Sequence, residues 1–172
     1  MELTLPEMLS AVVESGIVRR KQGWEDRLAA CIDRMLLENK PMDWAINNCF
    51  LQTMEALSAM CGSDVLTAET LSKLPKTKAK WFRFLRMGES LFAEGAKKTN
   101  EEITAQFFLD IGLIFIEQPA EVCRGDIFVI HTEVGVCCAV ALAWDQLVIF
   151  CEERAVVSSI KGLDIRARYR VI

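Results

Sequence analysis

Histidine is nearly missing from this chain: His131 is the only one among 172 residues. Any mechanism that pairs a cysteine with an imidazole must therefore use His131 or do without. No Cys-x-x-Cys pair occurs among the seven cysteines, which removes the usual support for a zinc site. A glycine-rich phosphate loop, a serine elbow and a run of metal ligands are absent too, so no cofactor and no metal are expected. No apolar stretch approaches the roughly 20 residues needed to span a bilayer. Met1–Ser10 lacks a basic start and an apolar core, so the expected location is the cytoplasm. Basic residues do not interleave with aromatics along a stripe, and the net charge is −4, so nucleic acid is not an expected partner. The one basic cluster, Lys76 to Arg86, also carries Trp81, Phe82, Phe84 and Leu85 and reads as an amphipathic helix.

What is present is a packed-domain composition. Hydrophobic residues make up 52% and charged residues 26%, which suits one domain with a core of its own. An odd number of cysteines without regular spacing does not make a disulfide framework. Most read as small buried hydrophobes. Cys137 and Cys138 are adjacent in a strand-like run, where their side chains face opposite ways.

The first half reads as helical. Pro6 suits the first turn of a helix reaching about Arg20. Trp24, Leu28, Cys31 and Met35 follow at steps of four, three and four, the spacing of one helix face, until Asn39-Lys40-Pro41 ends the run. A further helix should begin near Asn48 and run to Cys61, with Gly62 as its left-handed cap. Shorter helices follow to about Gly112, one of them opened by Thr99 with Glu102 three residues on, as in a capping box. From Leu113 the pattern changes to short β-branched or apolar runs. They are 113–116, 126–131, 134–143, 146–151, 155–160 and 165–172, with Trp144-Asp145 as a tight turn. Helices first and strands later predict an α+β fold with an antiparallel sheet.

Two positions carry candidate chemistry. Cys49 lies at a predicted helix start, where the positive end of the helix dipole lowers a thiol's pKa and favours the nucleophilic thiolate. Asn47 or Asn48 can cap that helix. The alternative is a buried structural cysteine. His131 lies in a strand, sharing a face with Val129 and Glu133, so a Cys–His pair oriented by Glu133 is conceivable. The alternative is a surface histidine at a strand end or turn.

Several short patterns occur in the order found in NlpC-like, papain-related proteins, one branch of which is phage-encoded among tail-assembly genes. The stretch Gly23 to Ala30 resembles that branch's opening helix. Met42-Asp43-Trp44-Ala45-Ile46-Asn47-Asn48-Cys49 resembles its nucleophile motif, F-x-W-G-x-x-D-C, with Ala45 in place of Gly and Asn48 in place of Asp. Met60-Cys61-Gly62 is similar to the M-T-G that closes the nucleophile helix. Pro119 to Val129, with Arg124-Gly125-Asp126, resembles the segment leading into the sheet. Val134-Gly135-Val136 is similar to the H-V-G-I strand of active peptidases, with Glu133 where the histidine stands, and Arg170-Val171 is similar to the A-W-R-V ending.

The resemblance implies residues 1–22 as a helical extension and 23–172 as an NlpC-like domain. Its N-terminal helices would pack on a partly barrel-like antiparallel sheet. It puts Cys49 in the nucleophile's place. Active members pair that cysteine with a sheet histidine and cleave cell-wall peptides. Here Glu133 would oppose a neighbouring thiolate, since a carboxylate is charged at neutral pH. His131 is displaced by about 6–7 Å along a strand. The expectation is therefore a degenerate domain acting by protein–protein contact with other phage or virion proteins. It would be a tail-tip component or assembly factor, found in the host cytoplasm and, as a tail component, in the virion. The alternatives are a cysteine amidase or peptidase using Cys49 and His131, and a cytosolic binding protein unrelated to either.

Overall fold

The computed structural model describes residues 18–38, 40–43, 47–77, 79–81, 100–117, 120–133, 135–151 and 153–172. The helix expected from Pro6, the segment 82–86 of the basic cluster, the Thr99 cap, Trp44, Pro119 and Val134 lie outside them.

The architecture is α+β, helices before strands. Among the described residues the helices α1 (Trp24–Glu38), α2 (Cys49–Cys61), α3 (Ala68–Lys73) and α4 (Asn100–Asp110) precede six strands. The strands are β1 (Ile114–Phe115), β2 (Ile127–Thr132), β3 (Gly135–Ala143), β4 (Gln146–Phe150), β5 (Ala155–Ser159) and β6 (Asp164–Arg170). Their order in the sheet is β1-β6-β2-β3-β4-β5, every neighbouring pair antiparallel. β1 and β5 are edges, so the sheet is not a closed barrel.

Of the predicted stripe of α1, Leu28, Cys31 and Met35 are buried, with Ile32 beside them, and Trp24 is half-buried. Glu25 and Asp26 in its first turn complement the helix dipole. α2 ends as its sequence predicts, with Gly62 in the left-handed region at φ 64° and its N–H bonded to the Ser58 carbonyl. Arg27 then ties α1 to that end, donating from Nε to the Ala59 carbonyl at 2.8 Å. A guanidinium there satisfies carbonyls that the helix leaves unpaired.

Two apolar clusters divide along the two faces of the sheet, because successive strand residues alternate. Ile127, Val129, Cys138, Val140, Val148 and Phe150 meet the helices through Leu28, Leu57, Met60 and Phe108. Phe128, Ile130, Cys137, Ala139, Ala141, Leu147 and Ile149 form the second cluster, closed over by Val122, Ile160, Leu163 and Ile165. Burial on both faces explains why β2 to β4 read as nearly continuous apolar runs instead of alternating ones.

The approach to β2 is polar and buried. Asp126 is fully buried and accepts from Arg170 Nε at 2.7 Å, from Arg170 Nη2 at 2.8 Å and from the Cys123 N–H at 3.0 Å. Arg168, 1% exposed, lies 3.9 Å from the same carboxylate and donates to the Ala120 carbonyl at 2.9 Å. Gly125 has φ +79°, and a Cβ built on it would stand 2.7 Å from Met60 Sδ and 3.0 Å from Trp24 Cζ3. Only glycine lets the chain pass this close to α1 and α2.

Candidate functional site

α2 starts at Cys49. Asn48 caps it in extended conformation, its side chain accepting from the Leu51 N–H at 3.0 Å, and is itself buried. A cap followed at once by a cysteine places that thiol on the first helical residue, where unpaired N–H groups and the dipole concentrate positive potential. Cys49 is half-buried and packs against both apolar clusters.

Contact with both clusters follows from a gap in the sheet. Pairing of β3 with β4 runs from Ala143↔Gln146 back to Ala139↔Ile149, and Cys137 and Cys138 have no β4 partner. The backbone N–H of Cys138 is thereby released from the ladder, and it bonds to the Cys49 sulfur. The Cys137 thiol belongs to the cluster against which Cys49 packs. It also has two backbone acceptors in reach, the carbonyls of Phe150 at 3.3 Å and Cys138 at 3.5 Å. On the helix side Thr53 Oγ donates to the Cys49 carbonyl at 2.8 Å, and its hydroxyl also bonds to the Cys138 thiol.

These contacts separate the two thiols chemically. The Cys137 thiol, followed by the backbone N–H groups of Cys138, Phe50 and Cys49 itself, pulls the Cys49 pKa down to about 7, against the opposing effect of burial. Cys137 moves the other way: its hydrogen bond to Cys49, and then its burial, push its pKa far up. Donors surround Cys49 and carbonyls surround Cys137, so of the pair Cys49 ionises and Cys137 keeps its proton. Burial likewise raises Cys138 and the exposed Cys151, the charge on Cys49 adding to both.

His131 stands on β2. It pairs with Val136 on one side and Asp164 on the other, near the end of β2, with Nδ1 3.9 Å from Asp164 Oδ2. It is exposed. Strand alternation sends its side chain to the face opposite that of Ile130 and Cys137. Glu133 is not on a strand face with His131: Thr132 pairs with Gly135, and Glu133 is exposed in the turn between them. The structure thus brings Cys49 together with Cys137 and Cys138, and places Glu133 at an exposed hairpin tip.

Cys137 is the residue that the sequence did not single out. Its one signal is adjacency to Cys138 in an apolar run, and only the gap between β3 and β4 gives it a partner. All seven cysteines carry free thiols. Among the described residues, no group of three or more His, Cys, Asp or Glu side chains could hold a metal ion. A depression of about 630 Å³ lies on the other side of α2, lined by Asn47, Leu51, Gln52, Glu55, Leu71 and Lys76, and none of Cys49, His131 and Glu133 borders it. No helix of the described residues is long and apolar enough to cross a membrane.

No curated protein matches the chain. Residues 19–171 match the model of a family described as a domain of unknown function, DUF6950, a stretch that contains every element described above. The chain belongs to that family.

Proposed function

We propose that the chain is an NlpC-like, papain-related domain that has kept the nucleophile's position and lost the base. It acts by protein–protein contact in phage tail assembly, as a tail-tip component or assembly factor. One observation carries the first half of this reading: the thiol at the tip of α2 faces a second thiol, Cys137, and not an imidazole. A hydrolase needs a group that takes the nucleophile's proton and returns it to the leaving amine. Cys137, held protonated far above neutral pH, does neither. The order of elements supports the kinship, helices first, then Arg124-Gly125-Asp126 leading into an antiparallel sheet. The phage setting rests on the resemblance of the short motifs and their order.

A second reading, a cysteine amidase or peptidase using Cys49 and His131, is favoured by the lowered pKa of Cys49 alone. The two separate in two assays. Purified protein is incubated with cell-wall peptides and release of new amino groups is followed, with Cys49→Ala as control. The expected result is no release above the control. Turnover that the substitution abolishes would establish the second reading. Co-purification with the products of neighbouring tail genes is expected to give a stable complex, and a protein that binds none of them removes the assembly role.

A further inference from the structure

The two edges of the sheet differ in how they are protected. Edge strands are ordinarily kept from pairing with other chains by short length, a charge, a proline or a bulge. β1 has only two residues. β5 has five, Ala155-Val156-Val157-Ser158-Ser159, with no charge and no proline, and its pairing with β4 runs without a register shift. Val157 is 47% exposed, and Ser159 is exposed as well. We propose that two copies of the chain join edge to edge through β5, in an antiparallel pairing centred on Val157. This pairing is independent of the assembly role proposed above.

The hydrogen bonds at the two ends of the β4–β5 hairpin fix which groups of β5 point outward. The Cys151 N–H donates to the Arg154 carbonyl at 3.1 Å, and the Ile160 N–H donates to the Asp145 carbonyl at 2.9 Å. Antiparallel ladders alternate between bonded and non-bonded pairs, so Val156 and Ser158 bond to β4 as well. The N–H and C=O groups of Ala155, Val157 and Ser159 therefore face away from the sheet. Among the described residues, no backbone group outside the sheet bonds to them. The Ser159 carbonyl takes the Ser158 hydroxyl at 3.4 Å, which leaves it a second lone pair.

That pattern is self-complementary. With Val157 opposite Val157 of a second copy, Ala155 stands opposite Ser159, and every outward group of both strands finds a partner, each pair exchanging two N–H···O bonds. A shift of the centre by one residue leaves an outward Ala155 or Ser159 outside the ladder. The same register sets Glu153 of each copy opposite Lys161 of the other, beyond the two ends of the strand, and both are exposed. Arg154 falls opposite Ile160, so no like charges meet directly. The Val157 side chains meet across the two-fold axis, where each covers the exposed apolar surface of the other. This match of charge to charge about one axis points to a second copy as the occupant, in preference to an arbitrary extended peptide.

Sedimentation equilibrium of the full-length chain, from micromolar to millimolar concentration, is expected to show a monomer–dimer equilibrium. Val157→Lys puts two like charges on the axis at an exposed position and should abolish the dimer, with the fold checked by circular dichroism. Glu153→Lys and Lys161→Glu should each raise the dissociation constant about tenfold, since like charges then face each other at both ends. The double variant should restore the wild-type value. Hydrogen exchange followed by NMR reads the same register: the amides of Ala155, Val157 and Ser159 gain protection as concentration rises, while those of Val156 and Ser158 are protected throughout. A chain that stays monomeric at millimolar concentration, a dimer indifferent to Val157→Lys, or a double variant no better than the single ones would each overturn the proposal.

Discussion

Asp126→Ala is expected to cost about 3–5 kcal/mol of folding stability, the range for stripping one partner from a buried ion pair. The carboxylate is fully buried and takes two hydrogen bonds from Arg170, at 2.7 and 2.8 Å, and one from the Cys123 N–H at 3.0 Å. It is also the anion nearest Arg168, whose Nε and Nη1 have no hydrogen-bond partner. Burial lowers the Arg168 pKa and Asp126 opposes that. Without the carboxylate a guanidinium stays enclosed with no counter-charge, and that uncompensated charge is the larger part of the loss. Asp126→Asn should lose most of the same stability, because an amide keeps the shape but not the charge. Urea unfolding measures both; a loss below about 1 kcal/mol in either would show that the cluster is not the anchor of the segment leading into β2.

Gly125→Ala should cost about 2–5 kcal/mol. Gly125 itself sits at φ +79°, where an L side chain costs about 1–2 kcal/mol. Its Cβ would also stand 2.7 Å from Met60 Sδ and 3.0 Å from Trp24 Cζ3, and overpacking of a filled core adds about 1–3 kcal/mol. Gly162 separates the two contributions. It has φ +84° with nothing within 4 Å of a built Cβ, so Gly162→Ala should show the backbone cost alone. Equal losses at the two glycines would mean that the close approach of α1 and α2 to Gly125 does not matter.

Much of this fold was legible because local rules and tertiary structure agree. The α1 stripe, the Asn48 cap, the Gly62 stop, the Trp144-Asp145 turn and the six strands all follow from periodicity and turn chemistry. The candidate site was legible on one side only. A cysteine directly after a capping asparagine announces a thiol at a helix tip, and Cys49 lies there. What faces it depends on where the β3–β4 ladder stops, a property of the pairing register that no local pattern encodes. Cys137 therefore read as one more small apolar residue. Glu133 read as sharing a strand face with His131 because it lies two residues on, but the Thr132↔Gly135 pairing puts it in a turn. Asp164, the acid beside His131, is distant in sequence and reaches it only through the β2–β6 pairing.

The account turns on which group stabilises the Cys49 thiolate. Iodoacetamide alkylation of Cys49, followed by mass spectrometry across pH 5 to 10 in about half-unit steps, answers this in wild type, His131→Ala and Cys137→Ala. Cys137 donates a hydrogen bond to the ionised sulfur, so removing it must raise the pKa, whereas His131 makes no such contact. The predicted midpoints are about 7 in wild type, unchanged in His131→Ala and clearly higher in Cys137→Ala. A midpoint that rises in His131→Ala and stays put in Cys137→Ala would contradict the account and restore the Cys–His pair.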